Sequence, residues 1–225
     1  MEDGVSIDQR VDTPIGSGFG ASAAAATSSV YAAAASLGIR WPKRLLARFA
    51  HRAEIFEQTG LGTVSVVYGH AGAGAITTAG EPGAAKFVAV KVPRDTRIVT
   101  VYFAPYDKKD ALSSPKMKAR INRLGREALA GFLADPSLDT LAAEGASFSR
   151  GLGLESPEVK KAIGAATSAG ASHASQNMIG YSVHCITDAD RAPKVSRALA
   201  SLGGARVDVF EVGREKAGVL RPTRR

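Results

Sequence analysis

An α+β protein is the fold class this sequence predicts, and three observations carry it. A glycine-rich turn, Pro14 to Ser22, opens onto an alanine-rich run that ends near Leu37; alanine is the strongest helix former, so the run reads as a helix. In the second half, β-branched segments alternate with helix-patterned ones, an order that packs helices on one sheet. A composition 45% hydrophobic and 22% charged over 225 residues supplies the core of one large domain or two small ones.

Taken in order, residues 1–12 are polar and end in a short strand or loop. Gly38 closes the first helix. Pro42 suits the first turn of a second helix, Lys43 to about Gln58. On that helix Leu45, Leu46, Phe49, Ala53 and Phe56 share one arc and are expected to be its buried face. His51 and Glu54 lie beside each other at the margin of the arc. Val64–Tyr68 reads as a strand, and so do Ala75–Thr78 and Phe87–Val92, separated by the turn Gly80-Glu81-Pro82-Gly83. Pro93 breaks the pattern and places a domain boundary near 94.

The second half opens with the apolar strand Ile98–Phe103. Helices follow at about 115–134 and 137–149, broken by Pro136, and Ser156-Pro157 starts another that ends near Gly170. Tyr181–Ile186 is a strand, 190–202 a helix and 206–212 a strand.

Composition narrows the function. A single cysteine, Cys185, excludes an internal disulfide framework and a multi-cysteine zinc site. The charge-free stretch Thr13–Ile39 is long enough to cross a membrane, but it is built of Gly, Ala, Ser and Thr and lacks the insertion energy. Glu2, Asp3 and Asp8 occupy the region that a secretory signal makes positive. A soluble, cytoplasmic protein is expected, with no membrane partner. The net charge of +8 favours anionic ligands. Part of it lies in a tail, Arg221, Arg224 and Arg225, expected to fray. The other basic pairs, Lys43/Arg44, Lys108/Lys109 and Lys160/Lys161, are scattered without interleaved aromatics, so no nucleic-acid partner is expected.

The glycine loop holds the sharpest chemical signal. A glycine turn at a helix tip offers unpaired N–H groups and a positive dipole end to a phosphate. Gly16, Gly18 and Gly20 let a ligand approach the backbone, and Ser22 sits in the first turn. The segment fits neither a Walker loop nor a dinucleotide fingerprint. Its alternative is a tight turn before a helix that packs closely through alanines. Read alone, Glu54 is a solvated helix carboxylate and His51 a helix-surface histidine. His70, His173 and His184 have no metal-ligand spacing and read as structural.

The segment Pro14–Ala26, PIGSGFGASAAAA, resembles the phosphate loop of the GHMP kinases, and within them that of archaeal pantoate kinases. The likeness continues in order. His51-Arg52-Ala53-Glu54 is similar to the family's H-x-A-E helix, and Thr59-Gly60-Leu61-Gly62 to its glycine turn. Glu81-Pro82-Gly83, Lys109–Ser113, Arg120–Leu129 and Ser175–Gly180 follow at matching intervals. The resemblance covers residues 14 to about 210. It implies two α/β sandwich domains, 1–94 (ribosomal-protein-like, without its first strands) and 95–225 (ferredoxin-like). It implies ATP and Mg²⁺ as cofactors. Gly16, Ser17, Gly18, Phe19, Gly20, Ala21 and Ser22 would surround the phosphates, with Ser22 and Glu54 at the metal and His51 on the substrate side. The partner it implies is a small molecule, pantoate, and a homodimer is among the assemblies open to it.

Three departures qualify that likeness. Where many of these kinases place an Asp as general base, this chain has Thr63, which cannot take up a proton near neutral pH. Pantoate kinases usually carry an Arg on the next strand, where this chain reads Ala75-Ile76-Thr77; Arg52 or Lys86 would have to substitute. The family's first motif does not precede the loop: either a longer protein exists or this is a shortened relative with an exposed sheet edge, and a truncated start, leaving the chain N-terminally shortened, is the expectation. A kinase for pantoate is therefore the leading reading, against a non-catalytic nucleotide binder or a kinase for another small hydroxy acid.

Overall fold

The structure, a computed structural model, describes residues 4–60, 62–104, 114–178, 180–203 and 206–219. The Lys109–Ser113 segment, Leu61, Ile179 and the C-terminal arginines lie outside the described residues.

Helix α1 spans Ala21–Ser36 and α2 spans Lys43–Phe56. α1 starts at the last glycine of the loop, where Gly20 is left-handed. It stops where Gly38 turns left-handed and the Ile39 amide returns to the Ala34 carbonyl at 2.8 Å. The two helices approach through Ala23, Ala47 and Ala50, all fully buried and joined by Val64.

Alanine packing decides which face of α2 is inside. The buried residues are Leu46, Ala47, Ala50, His51 and Glu54. Phe49 and Phe56, placed in the core by periodicity, are 46% and 84% exposed, and Ala53 is exposed too. The inward face is turned by roughly a third of a turn from the most apolar arc. An alanine-surfaced neighbour admits only small side chains at close approach, which overrides hydrophobicity here. The displaced aromatics partly cover one another, with Trp41 stacked on Phe49 at 5.8 Å between centroids.

The expected strand at 64–68 is instead a short helix, α3 (Thr63–Val67). Gly62 accepts from the Ser65 amide at 3.1 Å, and Val64 is buried against α1 and α2. Tertiary packing outweighs the β propensity of Val64, Val66 and Val67. Strands β1 (Ala73–Thr78) and β2 (Lys86–Val90) then pair antiparallel. Their connecting turn is held on α2 by a two-pronged ion pair, Arg48 to Glu81, at 2.5 and 2.7 Å.

The remaining elements are β3 (Thr96–Ala104), α4 (Pro115–Ala134), α5 (Leu138–Leu152), α6 (Pro157–Ser168), β4 (His173–Gln176), β5 (Tyr181–Asp188), α7 (Ala192–Ala200) and β6 (Val207–Glu211). Ser114, Ser137 and Ser156 cap α4, α5 and α6 through their hydroxyls. The four strands form one antiparallel sheet in the order β4-β5-β3-β6. Val99, Val101, Val183 and Cys185 alternate onto one face, against Val159, Ala162 and Ala166 of α6 and Val195 and Leu199 of α7. Burial pushes the Cys185 thiol up to about 12. β4 was absent from the sequence reading, because His173-Ala174-Ser175-Gln176 has no β-branched residue and is a strand only by pairing with β5. Residues 4–12 take no regular form; Gln9 lies along α1 and donates to the Ala25 carbonyl at 2.8 Å. Among the described residues no helix is long and apolar enough to cross a membrane.

Candidate active site

The loop at the tip of α1 alternates in backbone hand. Gly16, Gly18 and Gly20 have φ of +79°, +86° and +74°, while Ser17 and Phe19 do not enter the positive region. Alternation of this kind points successive amides to one side and makes an anion-binding concavity. Among the described residues none of the amides from Gly16 to Ser22 donates to a protein acceptor; the first bond is Ala24 N–H to the Gly20 carbonyl at 3.1 Å. No acidic residue stands in the first turn of α1. The tip therefore presents free donors and the positive helix end together.

Side chains of the loop behave differently from its backbone. Ser17, expected beside the phosphates, is 1% exposed and donates its hydroxyl to the Pro14 carbonyl. Only its amide remains for a ligand. Phe19 and Ala21 are half-buried. Ser22 is exposed, and its hydroxyl donates to Glu54 Oε1 at 2.7 Å.

Glu54 comes from the buried face of α2 and is 2% exposed. Oε1 lies 3.5 Å from the Thr59 hydroxyl as well, and Oε2 has no partner among the described residues. A Cβ on Gly60 would come within 2.9 Å of both carboxylate oxygens, so only glycine leaves them room. A buried carboxylate with an orphaned oxygen is costly. A carboxylate beside a hydroxyl at the mouth of an anion nest fits Mg²⁺, which prefers one or two protein oxygens and completes its shell with phosphate oxygens and water.

Thr63, at the start of α3, has its methyl against Gly20, 3.2 Å from where a Cβ would stand. His51 is one turn before Glu54, 6% exposed, with Nδ1 buried and unpartnered among the described residues. The fold thus gathers the loop, Ser22, Glu54 and Thr63 into one place and buries His51 one turn from Glu54. The other histidines stand apart: His70 stacks on Phe87, His173 pairs with Asp139 at 3.0 Å, and His184 is half-buried in β5 with its Nδ1 covered.

One contact was not foreseen. Asn177 and Gly180, at the tip between β4 and β5, lie against the glycine loop, with the Ser182 hydroxyl donating to the Ser17 carbonyl. The sequence signal is Ser175–Gly180, marked only by its place in the family likeness.

Residues 2–70 match the family described as GHMP kinases N terminal domain. A solved structure described as a phosphotransferase related to the CoA biosynthesis pathway superposes with a TM-score of 0.79 at 23% identity, over 91% of this chain and 66% of its own. Over residues 2–70 the chain is thus similar to the GHMP kinases, and its fold is theirs. Other GHMP kinase structures share the fold. A homoserine kinase from Cytophaga hutchinsonii gives a TM-score of 0.66 at 20% identity, covering 91% of this chain and 69% of that one. A mevalonate kinase gives 0.65 at 15%, covering 91% and 68%. In sequence, pantoate kinase from Methanospirillum hungatei JF-1 is 35% identical over 124 residues, which is 55% of this chain and 41% of that protein. The match thus spans about two fifths of that curated relative, and the chain about two thirds of the solved structures.

Proposed function

We propose that this chain catalyses ATP-dependent phosphorylation of pantoate on its primary hydroxyl, giving 4-phosphopantoate and ADP for coenzyme A synthesis. The observation that carries the reading is the run of unpartnered amides in an alternating-hand glycine loop, joined through Ser22 to a carboxylate with one orphaned oxygen. The 35% identical pantoate kinase supports the choice of acceptor. In this reading residues 1–94 and 95–225 are the two domains.

The amides of Gly16 to Ser22 hold the phosphates without reorganisation, since no other group engages them. Ser22 and Glu54 hold Mg²⁺, which when bound neutralises charge on the phosphates. The acceptor oxygen forms its bond to the terminal phosphorus as the bond to ADP breaks, and the hydroxyl proton leaves to solvent. Thr63 orients that hydroxyl by a hydrogen bond and takes no proton. A loose phosphoryl-transfer transition state depends mainly on positioning and charge neutralisation, so a base at this position is dispensable. The His51 imidazole hydrogen-bonds the acceptor's carboxylate.

ADP release by the full chain, with ATP, Mg²⁺ and each of pantoate, homoserine and mevalonate, tests this. Turnover with pantoate alone is expected, and Thr63→Ala should lower it by about tenfold, the value of one orienting contact. Turnover with another hydroxy acid but not pantoate sinks the acceptor assignment. Thr63 in the base position favours a second reading, a nucleotide binder without catalysis. Calorimetry showing ATP binding with no turnover on any acceptor would establish that reading instead.

A further inference from the structure

The glycine loop is shaped partly by residues far along the chain. The Ser17 carbonyl is buried and accepts from the Ser182 hydroxyl at 2.5 Å. Ser182 is itself fully buried, and the Asn177 side-chain amide donates to its oxygen at 3.2 Å. A hydroxyl has one proton, and with Asn177 supplying a donor that proton is committed to Ser17. The approach is main chain on main chain. A Cβ on Gly18 would meet the Asn177 carbonyl at 2.5 Å, and one on Gly180 would run into the Ser17 carbonyl.

We infer that Ser182 is a positioning residue for nucleotide binding, holding the Ser17–Gly18 peptide so that the Gly18 amide faces the phosphates. In a trans peptide the carbonyl and the following N–H point in opposite directions. Tying the Ser17 oxygen back toward the hairpin turns the Gly18 N–H out of the opposite side, into the concavity. The tip that supplies this restraint is braced in turn. Gly180 N–H closes on the Asn177 carbonyl at 2.8 Å, Gln176 Nε2 donates to the Gly180 carbonyl at 2.9 Å, and Ser149 donates to Gln176 Oε1 at 3.4 Å. Every side chain in this brace is buried. Without Ser182 the Ser17 carbonyl loses its partner, and the peptide gains freedom to rotate its amide away.

This inference rests on the nucleotide reading above, and the test separates the two. ATP with Mg²⁺ is titrated calorimetrically into the full chain and into Ser182→Ala, Ser182→Cys and Ser137→Ala, with melting temperatures measured alongside. Ser182→Ala is expected to weaken ATP binding about tenfold, equivalent to about 1.4 kcal/mol. Ser182→Cys keeps the shape but donates weakly, and should fall in the same direction. Ser137→Ala removes the α5 cap, remote from the loop, and should lower stability with ATP affinity unchanged. Wild-type protein that binds no ATP overturns the nucleotide reading and this inference with it. Wild-type protein that binds ATP, with both Ser182 variants binding as tightly, overturns the inference alone.

Discussion

Glu54 is the residue where stability and chemistry conflict. Its carboxylate is 2% exposed with one oxygen unpartnered among the described residues, and an unpaired buried charge is destabilising unless a cation meets it. Glu54→Gln keeps the shape and removes the charge. We expect it to retain or raise the melting temperature while Mg²⁺-dependent turnover falls about a hundredfold, the scale lost with one charge-stabilising group. Gly60→Ala should lower turnover too, since its methyl would displace the same carboxylate. A Glu54→Gln protein that melts well below wild type would refute this account. The sequence reached Glu54 and Ser22 through their resemblance to a family motif; read alone, Glu54 was a solvated carboxylate. Nothing in the spacing disclosed the brace around Ser17, because a buried serine that satisfies a carbonyl looks like any other serine.

At the level of elements, α2 shows where periodicity misleads. The apolar arc of Phe49, Ala53 and Phe56 faces outward, and Ala47 and Ala50 face α1. Ala47→Leu should therefore overpack the helix contact and cost about 1–3 kcal/mol in chemical denaturation. Ala53→Leu, on the exposed side, should stay within about 0.5 kcal/mol. The reverse order, with Ala53→Leu the costlier change, would mean the helix is turned as periodicity had it. Most other elements were legible: Pro136 marked the break between α4 and α5, Ser156-Pro157 the start of α6, and apolar β-prone runs β3 and β5. α3 and β4 were not, since each takes its form from neighbours and against the propensity of its own residues.

Across the whole molecule, the α+β class and the alternating second half followed from composition and pattern, while strand order and the inter-half contact did not. The central sheet carries an acid sensitivity of its own. Burial holds the His184 imidazole below its ordinary value of 6.5, and its Nδ1 has no partner among the described residues. Between the folded value and 6.5 the unfolded chain holds the extra proton, so stability is lost as pH falls below about 6.5. His184→Leu removes that linkage. Its melting temperature should fall less than wild type between pH 7 and pH 5, and parallel declines would exclude His184 as the source.

The meeting of Gly18 with Asn177 and of Gly180 with Ser17 leaves no side chain to absorb a misfit. Each segment is the mould in which the other sets. A chimera that borrows one of them from a relative inherits half a joint, whereas one that borrows both carries the whole fitting intact.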